Sequence, residues 1–380
     1  MVFEEFGSFI SEICSRTVLA PGRPVYWTII ANPKAGGFTI KSRWKKHRAM
    51  LEKCVSLAKK NPLRKENGPS KTAMTDGGTA VHGTESGYGL VSTRQAGHAK
   101  DITNALIEEA ACSDNDENGA CPFHLIVTAG GDGTSLDIMN SLYHAPKEIL
   151  RNFAVLRLPM GTGNDGSDSR ELDKALELLI NPVEIKHQRA IKLNLKSGKG
   201  PFYAFNILSV GLDAFVTHMT NRMKGKLPGD SYKLWVDIAA LFYDRIYKVD
   251  FMDVKSLDED GKEEKAFNEK LLLLAVGESG RRTYGANKKI LPDERNICAI
   301  RQMPLRRKFL LKELLNSGKH IHEDESILWN GSKVEFISRH PMLAQMDGEA
   351  IRLEESDFPA IIELTEPVIP VLKKTASGTN

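Results

Sequence analysis

The pentapeptide GGDGT at residues 130–134 sets three glycines around one carboxylate, directly after the apolar run FHLIVTA (123–129) and directly before a segment with helical spacing. Glycines at such a junction let a backbone and a phosphate approach with no Cβ between them. A helix start adds unpaired N–H groups and the positive end of its dipole, so Gly130, Gly131, Gly133, Thr134, Ser135 and Leu136 are candidates for holding phosphate. Asp132 is the oddity, because a carboxylate among groups arranged for an anion repels it unless a metal ion or a hydroxyl donor intervenes. Two readings stand for it: a group beside Mg²⁺ or a sugar hydroxyl, or a side chain satisfying loop N–H groups in an Asx turn. Thr134, with Asp137 three residues on, has the look of a capping box.

Two further loops sit in the same position between a strand-like run and a helical pattern. ANPKAGG (31–37) offers Asn32, Lys34 and Gly36, and PMGTGND (159–165) offers Gly161, Thr162, Gly163, Asn164 and Asp165, polar groups suited to a phosphate or a ribose. Each alone carries little, since Gly and Asn are the default turn formers; three at one sheet edge carry more. No G-x-x-x-x-G-K-[ST] loop occurs. Phosphoryl transfer to a hydroxyl also needs a group to receive the proton. AQMDGEAIRL (344–353) places Asp347 and Glu349 around Gly348 between apolar strands; taken alone, it reads as a hairpin turn with charged tips.

The elements that must position these loops follow one repeated unit. PVYWTII (24–30), GLVST (89–93), FHLIVTA (123–129) and NFAVLRL (152–158) each lead through a loop into a segment of helical periodicity, the signature of a parallel α/β sheet. In an open parallel sheet, loops leaving the carboxyl ends of the strands line a common crevice. The stretch 66–89 is rich in Gly, Ser and Thr and reads as a surface insertion whose TDGGT follows no strand; 112–121 reads as a second polar loop. After about residue 182 come many short alternating segments, interrupted by helical stretches at 232–247 and 305–318, so a mostly antiparallel second domain is expected.

At 380 residues the chain exceeds the usual limit for a single core, and two domains are expected. A 41% hydrophobic and 27% charged composition is that of a globular protein, and no run approaches the roughly 20 apolar residues of a membrane span. The first sixteen residues carry acids where a secretory signal carries bases. Five scattered cysteines without a C-x-x-C pair support neither a disulfide framework nor a zinc site, and point to a reducing cytoplasm. A net charge of +3 is too mild to imply a nucleic-acid partner. Arg301, Arg306, Arg307, Lys308 and Lys312 among leucines (301–315) form a helix that docks on anionic headgroups or is simply a solvated amphipathic face; KSRWKKHR (41–48) reads the same way, and His320 and His322 read as a polar loop.

ANPKAGG, GGDGTSLDIMNSL, LPMGTGND, FNILSVGLDA and MDGEA, in this order and at roughly these spacings, resemble the diacylglycerol kinase catalytic-domain family, which also contains sphingoid-base and bacterial lipid kinases. The resemblance runs from about residue 24 to about 373. It implies a Rossmann-like parallel-sheet domain over 1–181 joined by a returning segment at 367–380, and a β-sandwich-like lipid-substrate domain over 182–366. It further implies an interdomain cleft for ATP and Mg²⁺, and a lipid acceptor at a membrane surface with peripheral contact at the inner face. By matched position, Gly130 to Leu136, Thr93 and Thr162 meet ATP. Glu349 is the general base, and Asp132 organises the Mg²⁺-nucleotide end. Two departures stand out. ILPDERNICAIRQ (290–302) is shortened, with Asn296 about where the family carries an acid for a second Mg²⁺, and GSDSR (166–170) replaces an aromatic-Ala-Arg run. Diacylglycerol is the expected acceptor, with a sphingoid base, NAD or a catalytically impaired regulator as alternatives.

Overall fold

The computed structural model describes residues 2–17, 19, 23, 25–60, 72–74, 80–82, 89–113, 122–161, 163–181, 183–223, 238–285 and 288–375. The chain divides into two compact units, one formed by Met1–Gln188 with the segment from Pro367, the other by Arg189–Glu366.

The first unit is built on a six-stranded sheet. In spatial order its strands are Gly89–Ser92, Val25–Ala31, Phe123–Gly130, Phe153–Pro159, Ile369–Lys374 and Val183–Gln188. The first four run parallel in near-unbroken register. Phe123–Gly130 and Phe153–Pro159 are buried along their whole length, which is why they appear in the sequence as continuous apolar runs rather than alternating ones. Val25–Ala31 sits between its successor Gly89–Ser92 on one side and Phe123–Gly130 on the other, so strand order reverses there. Helix Lys41–Lys60, with Leu172–Ile180, covers one face of the sheet; His98–Ser113 and Asp132–His144 pack together on the other. The loops at 31–37 and 130–132 therefore leave neighbouring strand ends toward opposite faces, the geometry that opens a crevice in doubly wound sheets.

Three features differ from expectation. Val183–Gln188, placed after the boundary at 181, belongs to the first unit's sheet, where it pairs antiparallel with the returning strand Ile369–Lys374 over six residues. Val2–Cys14 is an amphipathic helix that buries Phe6, Ile10, Ile13 and Cys14, with Phe6 edge-on to Phe38 at 5.0 Å. Within the insertion at 66–89, Thr72–Met74 and Ala80–His82 pair antiparallel, while TDGGT and most of the 112–121 loop lie outside the described residues.

The second unit is antiparallel throughout its described ladders, and one long strand organises it. Glu263–Gly277 pairs over its first half with Phe251–Leu257 and over its second half with Ile207–Gly211 and Ile297–Arg301. The first half alternates in burial and the second is buried on both faces, so one strand passes from a two-faced surface sheet into a sandwiched one. An apolar core that includes Leu193, Val210, Val254, Leu274 and Phe336 draws on strands of both halves. The opposite face of the buried half is covered by helices Leu212–Met223 and Leu305–Ser317. Of the helical stretch expected at 232–247, residues up to 237 lie outside the described ones and Tyr243–Ile246 is helical. His320, expected in a polar loop, is fully buried, with Nε2 3.1 Å from the Ile290 carbonyl.

His124, on strand Phe123–Gly130, stacks on Phe153 at 4.9 Å, and burial, followed by the nearby Arg23 charge, lowers its pKa to about 4. The unfolded chain takes up this proton near the ordinary value of about 6.5, above the folded pKa. The contribution of neutral His124 is thus complete above about pH 6.5 and is lost as pH falls toward 4, an effect of about 3 kcal/mol. His124→Phe should flatten the decline of stability between pH 7 and 4.5; a variant whose urea midpoint falls over that range as steeply as the wild type's would count against this assignment.

Candidate active site

Helix Asp132–His144 begins three residues earlier than the capping-box reading implied. Gly131 is its N-cap and no side chain caps it, so Thr134 and Asp137 do not form the expected reciprocal pair. Asp137 takes a backbone hydrogen bond from Gly97 instead, and burial raises its pKa. An uncapped helix start leaves its first-turn N–H groups to solvent or a ligand.

Asp132 satisfies a loop N–H, as the second reading held, but on a neighbouring loop and not in its own turn: its Oδ1 accepts the N–H of Gly166, 3.0 Å away on the loop after Phe153–Pro159. The carboxylate thereby ties the GGDGT loop to the PMGTGND loop. The glycines are required by that approach. A methyl on Gly163 would come 2.5 Å from Asp132 Oδ2, and one on Gly161 would come 2.7 Å from the Cα of Gly131. At Gly131 the space is open, so that backbone alone among these is clear for an incoming group. Gly161→Ala should therefore force the two loops apart, with about 1–3 kcal/mol of lost stability, and should weaken the ATP binding expected at these loops by at least about tenfold. Calorimetric titration with a non-hydrolysable ATP analogue reads the first effect, and unchanged affinity would refute it.

The other sequence-designated groups cluster at the same strand ends. Asn32 donates its N–H to Ala129 at 3.0 Å and accepts the Lys34 N–H on its side-chain oxygen at 2.9 Å; Thr93 donates its N–H to Ala31 at 2.9 Å. Lys34 is exposed, Gly36 opens the short helix Gly36–Thr39, and the next residue, Gly37, donates its N–H to the Met160 carbonyl at 2.9 Å. Gly133 is exposed in the first turn of its helix, Leu136 is half-buried, and Thr134 and Ser135 are buried. Thr162 lies outside the described residues.

GSDSR departs from the resembled pattern because it anchors this loop by ion pairs. Arg170 Nη2 donates to Asp165 at 2.7 Å. Asp168 takes the backbone N–H and Nη2 of Arg157, each at 2.7 Å, and both side chains of that pair are almost wholly buried. Arg43, in the stretch read as a solvated face, donates Nη1 to the Gly161 carbonyl at 3.5 Å. Asn164 is held left-handed, at φ 59°, with its buried Oδ1 lacking a hydrogen-bond partner among the described residues. An uncapped helix start, open backbone at Gly131 and an orphaned acceptor together fit a polyphosphate bearing a hydroxyl or metal-bound water as donor. Among the described residues no three His, Cys, Asp or Glu side chains converge on one point. Mg²⁺ would accordingly be held mainly by phosphate oxygens and waters, its usual mode beside nucleotides.

In the second unit, Met346 and Glu349 flank a two-residue hairpin. Asp347 (φ 45°) and Gly348 (φ 99°) both take left-handed backbone, the primed turn that Asp-Gly favours. The buried Asp347 carboxylate accepts the backbone N–H groups of Phe205, Asn206 and Ile207. Gly348 donates its N–H to Gln345 Oε1 at 3.1 Å and accepts Asn221 Nδ2 at 2.8 Å. Gln345 Nε2 in turn donates to Ser209 Oγ (2.9 Å), which donates to Asp213 Oδ2 (2.6 Å), all three residues being buried. Glu349 is thus an exposed carboxylate on a turn fixed from beneath. Sequence reasoning assigned no role to Ser209, Asp213 or Gln345, although FNILSVGLDA holds the first two; the available signal was Ser209 and Gln345 inside apolar strands and Asp213 in the first turn of helix Leu212–Met223.

Asn296 has a purely structural use. Its Nδ2 donates to the Gly331 carbonyl at 2.9 Å and its Oδ1 accepts the Gly331 N–H at 3.1 Å, a reciprocal pair that an acid could not complete. Asp293 is drawn into hydrogen bonds with Arg295, which hold its pKa below the ordinary value.

Residues 79–194 match the family described as Diacylglycerol kinase catalytic domain, a span that holds the GGDGT and PMGTGND loops and ends before Glu349. A candidate YegS-like lipid kinase of Yersinia enterocolitica is 24% identical over 251 residues, covering 62% of this chain and 75% of the relative. A second, from Xanthomonas euvesicatoria, is 32% identical over 111 residues, 29% of this chain and 36% of that one. Among solved structures, a candidate diacylglycerol kinase from Bacillus anthracis str. Sterne superposes with a TM-score of 0.52 at 18% identity, over 92% of this chain and 98% of that one. That likeness shows the fold: a parallel-sheet unit followed by an antiparallel one.

Proposed function

We propose that this chain, a member of the diacylglycerol kinase catalytic-domain family, is an ATP-dependent lipid kinase that converts diacylglycerol to phosphatidic acid. The observation that carries the reading is the uncapped start of helix Asp132–His144, faced by open backbone at Gly131 and locked to the neighbouring loop through Asp132. Groups so fixed bind phosphate without reorganising, which is the main protein contribution to phosphoryl transfer.

In this reading Gly131, Gly133 and Thr134 present N–H groups to the phosphates, Lys34 and Arg43 add positive charge, and Asn164 accepts from the ribose or a water. Mg²⁺, carried in mainly on phosphate oxygens and waters, would neutralise charge on the phosphates. Glu349 accepts the proton of the lipid hydroxyl as its oxygen bonds to the γ-phosphorus and the β–γ bridge oxygen leaves with ADP. Asp132 serves by holding two loops together, not by taking the proton. No helix among the described residues is long and apolar enough to cross a membrane, so the lipid would be reached from a membrane surface. The described cysteines Cys14, Cys54 and Cys298 are buried and unpaired, with thiols that burial pushes up, Cys54 to about 11 and Cys298 to about 12, which suits work in the cytoplasm.

An acceptor panel with labelled ATP tests the proposal. Diacylglycerol should be phosphorylated in preference to a sphingoid base and to NAD; labelling of NAD with no lipid labelled would overturn it.

A further inference from the structure

Helix Leu212–Met223 holds the turn that presents Glu349 from both of its own ends. From its last turn, Asn221 Nδ2 donates to the Gly348 carbonyl at 2.8 Å. From its first turn, Asp213 reaches the Gly348 N–H through two further side chains. Ser209 Oγ donates to Asp213 Oδ2 at 2.6 Å, Gln345 Nε2 donates to Ser209 Oγ at 2.9 Å, and Gln345 Oε1 accepts the Gly348 N–H at 3.1 Å. The backbone makes this chain of contacts possible. Strand register sets Ser209 directly opposite Gln345. Gly211, left-handed at φ 89°, bends the backbone out of its strand, so that Asp213 meets the hydroxyl four residues behind it. A methyl at that glycine would come 2.4 Å from the Leu272 carbonyl oxygen.

Ser209 and Gln345 are fully buried, and Asp213 is 8% exposed beside an apolar cavity that it lines with Leu212, Val216 and Leu273. Burying such groups costs free energy, and a hairpin alone does not require it. Asp347 already ties the turn to three backbone N–H groups. What the extra chain adds is direction. A carboxylate only accepts, so Ser209 donates to it; the Ser209 lone pairs then take the Gln345 NH2, and the Gln345 oxygen is left toward Gly348. The Ile207 carbonyl, 3.4 Å from Gln345 Nε2, is a weaker second acceptor. We infer that Asp213 is a positioning residue for Glu349: through Ser209 and Gln345 it locks the Gly348 peptide, and with it the direction in which the Glu349 carboxylate leaves the turn. The inference rests on the reading of Glu349 as the proton acceptor.

Asp213→Asn keeps the volume and removes the constraint. The new amide can donate to Ser209, which can then donate to Gln345 Oε1, and the Gln345 NH2 is left facing the Gly348 N–H, donor against donor. This variant should lower kcat for lipid phosphorylation at least about tenfold, as small misplacements of a reacting group do, with the KM for ATP unchanged. In a Glu349→Gln background the same substitution should cost nothing further, whereas a merely structural loss would be equal in both backgrounds. Hydrogen exchange at the Gly348 amide needs no acceptor and should quicken at least about tenfold in Asp213→Asn. Ser209→Ala breaks the chain at its middle and should move both readouts in the same direction, so the test stands even where Asp213→Asn folds poorly. An equal kcat loss in both backgrounds, or unchanged Gly348 exchange in both variants, would overturn the inference alone. A Glu349→Gln enzyme at the wild-type rate would instead remove the base assignment and leave Asp213 holding a turn with no catalytic purpose.

Discussion

Glu349→Gln is expected to lower kcat for lipid phosphorylation by about 10² to 10⁴ while leaving the KM for ATP and the melting temperature close to those of the wild type. Glutamine keeps the shape of the side chain and can still accept a hydrogen bond from the acceptor hydroxyl, but it cannot take the proton. The scaffold beneath should not respond. The turn is held by Asp347 through three backbone N–H groups and by Gln345 through the Gly348 N–H, and none of these contacts uses the Glu349 side chain. The split between kcat and KM is the informative part, since a merely structural role would show first as a lowered melting temperature. A Glu349→Gln enzyme turning over lipid at the wild-type rate would remove Glu349 from the mechanism.

Asp168→Ala should produce the largest loss of stability. Arg157 lies on a fully buried strand, with its side chain only 3% exposed, and its charge is met by Asp168 on Nη2 and by Gln188 Oε1 at 3.1 Å. Removing the carboxylate leaves a guanidinium without its counter-charge in a low dielectric, a change that costs about 3–5 kcal/mol. For a unit of this size that lowers the melting temperature on the order of 10 °C. The double replacement Arg157→Met/Asp168→Leu should recover only part of the loss, because it removes the uncompensated charge but also takes away the partners of the Arg157 backbone N–H and of Gln188 Oε1. The single variant should also raise the KM for ATP, since Asp168 anchors the loop that carries Gly163 and Asn164. If Asp168→Ala unfolded within about 1 kcal/mol of the wild type, the pair would not be the anchor described.

The four strand–loop–helix units were legible because a strand buried on both faces can hardly be anything but a continuous apolar run, and because each was followed by a polar, Gly-bearing loop. The antiparallel unit was legible through its short alternating segments. Within Glu263–Gly277 only the second half stands out in the sequence, as an apolar run, since EEKAFNE looks polar unless its alternation is given weight. The helix at Val2–Cys14 has Phe6, Ile10, Ile13 and Cys14 at helical spacing; attention to its acids as evidence against export obscured that pattern. The Arg157–Asp168 pair and the Asp132–Gly166 contact could not be read locally, because each joins a strand or helix end to a loop whose path the spacing does not specify. For the same reason Glu349 looked like an ordinary turn residue: the residues beneath it come from segments more than a hundred positions away, and only family resemblance singled it out.

The strand Ile369–Lys374 has a further consequence, one of timing. The first unit's sheet takes its fifth strand from residues that are synthesised only after the entire second unit has emerged. Until then the inner edge of Phe153–Pro159 has no partner and Val183–Gln188 has nothing to pair with. The part of the chain that carries the phosphate loops is thus translated before the second unit and completed after it. Its exposed edge must wait through the making of some 180 residues, long enough at cellular translation rates of roughly 5–20 residues per second for a chaperone to bind and protect it.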